Sequence, residues 1–101
     1  MKIPTSFKLI NRVIRVEIDP YMHTAEDFNG QARFRLNLIK LRPPNGADYT
    51  EEDQVETFLH EVVHWVWYIL GVDDTEQSTV QFSRCLHQMF MTAEYEDKSN
   101  V

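Results

Sequence analysis

The 101 residues predict an α+β fold, a small antiparallel sheet of about three strands followed by two long helices. Three observations lead there. Residues up to about 42 alternate apolar and polar side chains, the period-two signature of half-buried strands. From Thr50 onward the apolar spacing changes to threes and fours, the signature of helices with one buried face. Gly71 and a short polar turn divide the helical half into two. With 43% hydrophobic residues the chain supplies one core and no second. A single domain is therefore expected over 1–101, with strands and loops over 1–49, one helix over 50–71, another over 75–96, and a tail over 97–101.

Residues 7–10 and 13–18 read as a hairpin joined at Asn11-Arg12, with Ile14, Val16 and Ile18 alternating against Arg15 and Glu17. Asp19-Pro20 ends it, and a polar connection over 20–31 closes at Asn29-Gly30, a turn dipeptide. Alternation resumes at Ala32 and changes phase after Leu38, where Ile39 and Leu41 are apolar and Lys40 and Arg42 polar. A bulge near Leu38-Ile39 in one continuous strand accounts for the change. Pro43-Pro44-Asn45-Gly46 stops that strand.

The first helix opens with Thr50 as N-cap and Glu51, Glu52 and Asp53 in its first turn, where acids favour the helix dipole. Val55, Phe58, Leu59, Val62, Val63, Val66, Ile69 and Leu70 form its apolar face. In the second helix Val80, Phe82, Leu86, Met89, Phe90 and Ala93 form the expected stripe, and Met89 and Met91 read as core filler.

Several classes of function are disfavoured by composition. The net charge is −6 and the basic residues are scattered, so no basic stripe for nucleic acid is present. The single cysteine, Cys85, rules out an intramolecular disulfide and a Cys-rich zinc knuckle. No run approaches the ~20 apolar residues of a membrane span, and residues 1–8 lack the apolar core of a signal peptide. A cytoplasmic protein with no nucleic-acid or membrane partner is expected.

The chemistry concentrates in one pentad, His60-Glu61-Val62-Val63-His64, an HExxH motif inside the first helix. Residues at i and i+4 share a helix face, so both imidazoles can reach one metal ion with a carboxylate beside it as general base. Chance placement of the chain's 4 His and 9 Glu predicts roughly 0.014 such pentads. Catalytic zinc normally takes three protein ligands and a water, so a third ligand must come from elsewhere. The extended HExxHxxGxxH pattern is excluded, because Leu70 and Trp67 stand at its His and Gly positions.

Glu76, at the start of the second helix, is the first candidate; Asp73, Asp74 and His87 are alternatives. An acid at that position also has a plainer role, favouring the helix dipole. In a simple antiparallel hairpin turning near 72–73, residue 83 would lie level with the histidines, so Glu76 reaches them only if the helices are splayed. Tyr68 shares the face of His64 and is a candidate site-lining residue. His23, Tyr49 and Tyr95 have no predicted place, and Trp65 and Trp67 read as core or rim aromatics.

The pentad followed by Leu70-Gly71, an acid-rich turn and Glu76 resembles the small gluzincin-type proteins encoded in bacteriophage and prophage genomes and, more distantly, the minigluzincin peptidases. Ile3-Pro4, Phe7-Lys8-Leu9, the segment from Ile39 to Pro43, and Thr57-Phe58-Leu59 before the pentad extend the resemblance through most of the chain. It implies a minimal zincin-like architecture, one Zn2+ ion held by His60, His64 and Glu76, and residence in a bacterial host's cytoplasm. The chain departs from the pattern at Gln77-Ser78-Thr79-Val80, where another acid is common.

The leading expectation is a zinc metallopeptidase with Glu61 as general base and a peptide or protein as substrate. The stretch from Ala32 to Leu41 is expected at the sheet edge above the metal, where an extended substrate would pair with it. The alternative is a catalytically inactive, zinc-stabilised interaction or regulatory protein.

Overall fold

A computed structural model describes residues 1–22, 29–73 and 75–95. Strands β1 (Ser6–Leu9), β2 (Arg12–Ile18), β3 (Gly30–Arg33) and β4 (Leu38–Leu41) precede two helices, α1 (Glu51–Leu70) and α2 (Glu76–Thr92). The α+β class is as expected. The sheet has four strands in the order β1-β2-β4-β3 rather than about three. It is also mixed, since β2 and β4 run parallel while β1–β2 and β3–β4 are antiparallel.

The hairpin turns one residue earlier than expected, because Leu9 pairs with Arg12 and leaves Ile10 and Asn11 as the loop. Ile10 adopts φ 57°, supplying the positive φ that two-residue hairpin loops require. The larger correction lies between Ala32 and Leu41. This stretch is two strands, joined by a single 3-10 turn over Phe34–Leu36 and by Asn37 in the left-handed conformation at φ 50°. The change of phase at Leu38 marks a chain reversal rather than a bulge. Asn37 makes the reversal possible because its short polar side chain tolerates that conformation.

A second correction concerns Asn29-Gly30. The Asn29 carbonyl accepts from the Arg42 N–H at 2.8 Å and Gly30 pairs with Leu41, so the dipeptide begins the β3–β4 ladder instead of closing a turn.

One face of the sheet packs on α1. Ile14, Ile39, Leu41, Val55, Phe58, Leu59 and Trp65 form the buried cluster, with Phe7, Val16 and Phe34 packed against it. Phe7 meets Phe58 edge-on at 5.8 Å, and Trp65, fully buried, meets Phe34 edge-on at 4.9 Å. This packing fixes the roll of α1. Glu61 is thereby turned toward the sheet and is buried, while His60 and His64 stay partly open. Among the described residues no helix is long and apolar enough to cross a membrane.

Both helix starts are capped as their sequences suggest. Thr50 accepts from the Asp53 N–H while the Asp53 carboxylate accepts from the Thr50 N–H, and Thr75 and Ser78 repeat the arrangement for α2. Gly71, at φ 67°, ends α1. The second helix is shorter than the expected 75–96, ending at Thr92, and residues 96–101, which include the expected tail, lie outside the described residues.

The roll of α2 also differs from the expected stripe. Its buried residues are Thr79 and Ser83, while Phe82, Met89 and Phe90 are exposed. Small hydroxyl side chains on the contact face allow the helices to approach closely, and Ser83 Oγ donates to the Val80 carbonyl at 3.0 Å, which satisfies it inside the contact. Leu86 of the expected stripe does pack against the core and Val80 is half-buried, so hydrophobicity alone identified only part of the contact face.

Candidate metal centre

The centre is assembled from α1 and the first residue of α2. His60 Nε2 and His64 Nε2 lie 3.1 Å apart, one helical turn separating their backbones. Glu76 reaches across to both, with Oε1 2.8 Å from His60 Nε2 and Oε2 3.6 Å from His64 Nε2. All three residues offer donor atoms within 4.8 Å of one another.

These spacings suit a metal ion. Four donors placed tetrahedrally at zinc–nitrogen or zinc–oxygen distances of ~2.0–2.1 Å are ~3.3 Å apart; the two imidazole nitrogens, at 3.1 Å, are close to that figure, and the 2.8 and 3.6 Å contacts are made by different oxygens of Glu76. Two imidazoles and one carboxylate form a donor set used for catalytic zinc, which leaves a fourth position for water.

Glu76 reaches because of the helix register. Glu52 lies 3.9 Å from His87 and Glu56 3.5 Å from Arg84, so residue 84 is level with residue 56 rather than with the histidines. The start of α2 is thus drawn back along α1 by about a turn and a half relative to a tight hairpin. Gly71, Val72, Asp73 and Thr75 are non-helical, and extended residues advance ~3.3 Å each against 1.5 Å in a helix, so the short connection has the length to return. A shifted register, rather than splaying alone, places the third ligand.

Other candidates fall elsewhere. His87 sits beside Glu52, two turns before the pentad. Asp73 is exposed and stands outside the donor group. Asp74 and His23 lie outside the described residues. Tyr68 stacks on Phe34 at 4.2 Å with its ring under the Arg12 guanidinium, one ring removed from the metal donors. Trp65 is core, Trp67 packs edge-on against Phe82, and Tyr95 is exposed.

Glu61 lies next to the donors and is only 7% exposed. Burial pushes its pKa up to about 7, with the negative Glu76 adding to the rise, while His64 and the Ala32 N–H, which donates to its carboxylate, act in the opposite direction. The carboxylate and the two imidazoles face a cavity of about 400 Å3 that Gln31, Ala32, Phe34 and Glu76 also line. Gly30, His60 and Glu61 border a second cleft as well, of about 510 Å3, walled by Tyr49, Thr57, Ser83 and Arg84. The centre therefore sits between two openings.

Two features at this junction escaped the sequence reading. Tyr49 is buried against the cleft, its hydroxyl 2.6 Å from Thr57 Oγ1 and its ring under the Arg42 guanidinium at 4.5 Å, and burial raises its pKa. The signal was present in Thr57, which comes one turn before Glu61 and shares its face. Gly30 was read as a turn residue, although its place is against Glu61.

No protein-family profile, characterised protein or solved structure matches the chain.

Proposed function

We propose that the protein is a zinc-dependent metallopeptidase of gluzincin type. The observation that carries this reading is the convergence of His60, His64 and Glu76, with donor atoms within 4.8 Å of one another, beside the buried carboxylate of Glu61. One Zn2+ ion held by those three residues would supply Lewis acidity toward water and the scissile carbonyl. Glu61 accepts the proton of the attacking water and passes it to the leaving amine. His60 and His64 project from one rigid helix face, which fixes two of the three donors before any ligand arrives.

The substrate is a peptide in extended conformation. Among the described residues β3 ends the sheet and pairs with β4 alone, so its outer side, apart from the Ala32 N–H that faces Glu61, is the place for an added strand, and β4, already paired on both sides, is not. The edge expected over Ala32 to Leu41 thus shrinks to Gly30–Arg33; Gly30 borders both openings, and Gln31 and Ala32 border the one that His64 and Glu76 line. Main-chain pairing there gives affinity independent of substrate sequence.

The alternative, an inactive zinc-stabilised interaction protein, draws on the contact between the helices. Thr79 and Ser83 put small hydroxyl side chains into that contact, so a metal bridging α1 and α2 has a structural task available. Glu61→Gln separates the readings. With an unbiased peptide library, the zinc-loaded wild type is expected to cleave, and Glu61→Gln is expected to lose at least about a hundredfold in kcat with zinc content and Tm unchanged. A wild type that holds stoichiometric zinc and cleaves nothing supports the alternative.

A further inference from the structure

Strand β3 stands in direct contact with Glu61, and the contact is specific at two residues. The Arg42 N–H to Asn29 carbonyl bond makes 29 and 42 a hydrogen-bonded pair. Antiparallel ladders alternate such pairs with non-bonded ones, so Gln31 and Arg33 turn their main-chain groups toward β4 while Gly30 and Ala32 turn theirs to the open edge. The outward Ala32 N–H is the group that donates to the Glu61 carboxylate.

Gly30 is matched to the same side chain by space. A Cβ built there would lie 2.6 Å from Thr57 Cγ2, 3.2 Å from Glu61 Cγ and 3.3 Å from Glu61 Oε2. Gly30 does not have the positive φ of Gly46 and Gly71, so the backbone conformation does not require glycine. Closeness to α1 does. A methyl group at this point would press on the Glu61 side chain.

We propose that Gly30 and Ala32 are positioning residues for Glu61, Gly30 by leaving room for the carboxylate and Ala32 by holding it through its N–H. The inference rests on Glu61 being the reaction's base, and neither residue needs to touch the metal for it to hold. Two roles for Gly30 must be separated, because the shortest contact is with Thr57 and a clash there would be structural only. Thr57→Ser removes Cγ2 while keeping the hydroxyl that meets Tyr49.

The test uses Gly30→Ala, Thr57→Ser, the double variant and Glu61→Ala in the full zinc-loaded chain. Tm, zinc content, kcat and KM on a cleaved peptide, and amide exchange at Ala32 are measured for each. Glu61→Ala is expected to speed Ala32 exchange about tenfold or more, since an outward edge N–H then loses its acceptor. Gly30→Ala is expected to do the same and to lower kcat at least about tenfold, with KM and zinc content retained. In the double variant Tm should return to that of Thr57→Ser alone, while kcat and Ala32 exchange stay perturbed. Recovery of all three would show that Gly30 only avoids Thr57, and unchanged Ala32 exchange in Glu61→Ala would remove the hydrogen bond; either overturns the proposal. If the wild type cleaves no peptide, the peptidase reading fails, and the exchange arm still decides whether β3 holds Glu61.

Discussion

Ile10 has a backbone conformation that its side chain opposes. Its φ of 57° lies where a β-branched residue meets steric conflict, and 77% exposure means that almost no packing compensates. Relieving such a conformation is worth ~1–3 kcal/mol, and the extra freedom of glycine in the unfolded chain returns ~0.5–1 kcal/mol of that. Ile10→Gly is therefore expected to stabilise the protein by about 1 kcal/mol, read as a higher urea midpoint at unchanged slope. A midpoint at or below wild type would show that the loop holds no such strain. Asn37 has the same sign of φ with a side chain that tolerates it, yet the alternation around it does not tell a reversal from a bulge. Gly30 shows the opposite limit. Nothing local distinguishes a glycine kept for a turn from one kept for a neighbouring helix thirty positions away in the chain.

At the level of elements, what could be read was what is local. Thr50, Asp53 and Gly71 bound α1 through hydrogen bonds made within a turn, and HExxH sets two donors on one face through helix geometry alone. Strand pairing and helix roll depend on distant partners, so the parallel β2–β4 pairing and the full contact face of α2 were not legible. The α2 case carries a prediction. Thr79 and Ser83 allow close approach, and Ser83→Leu would place a large side chain where 2% exposure leaves no space. Overpacking of this kind costs ~1–3 kcal/mol. Because Glu76 rides on the same helix, zinc affinity should fall by about tenfold or more, measured by competition with a chromophoric chelator. Unchanged affinity in a folded Ser83→Leu protein would show that Glu76 does not depend on the helix contact. An outward substitution such as Phe82→Ser, at a residue 50% exposed, serves as the comparison and should leave affinity near wild type.

For the whole molecule, a metal ion held by His60, His64 and Glu76, as proposed, would bridge two helices, so stability and metal occupancy should be linked. Binding to the folded state alone stabilises by RT ln(1 + [L]/Kd), about 2.7 kcal/mol at a hundredfold excess of free zinc over Kd. In a domain of this size that corresponds to roughly 10–20 °C in Tm. Thermal melts at buffered free-zinc levels should therefore rise with zinc, and Glu76→Ala should flatten the dependence by removing the one donor from α2. A Tm indifferent to free zinc in the wild type would argue against a metal bridge.

The site also has a place in time. Its parts come from β3, the middle of α1 and the first residue of α2, so it exists only after two separate loops of chain have closed, one bringing residue 32 to 61 and the other 76 to 60. Closures of that range come later in folding than the turns and helices themselves. A chain still emerging or partly collapsed has its histidines on a helix, with neither Glu76 nor β3 beside them. On the proposed reading, hydrolytic competence would arrive with the last contacts made, when the fold is already complete.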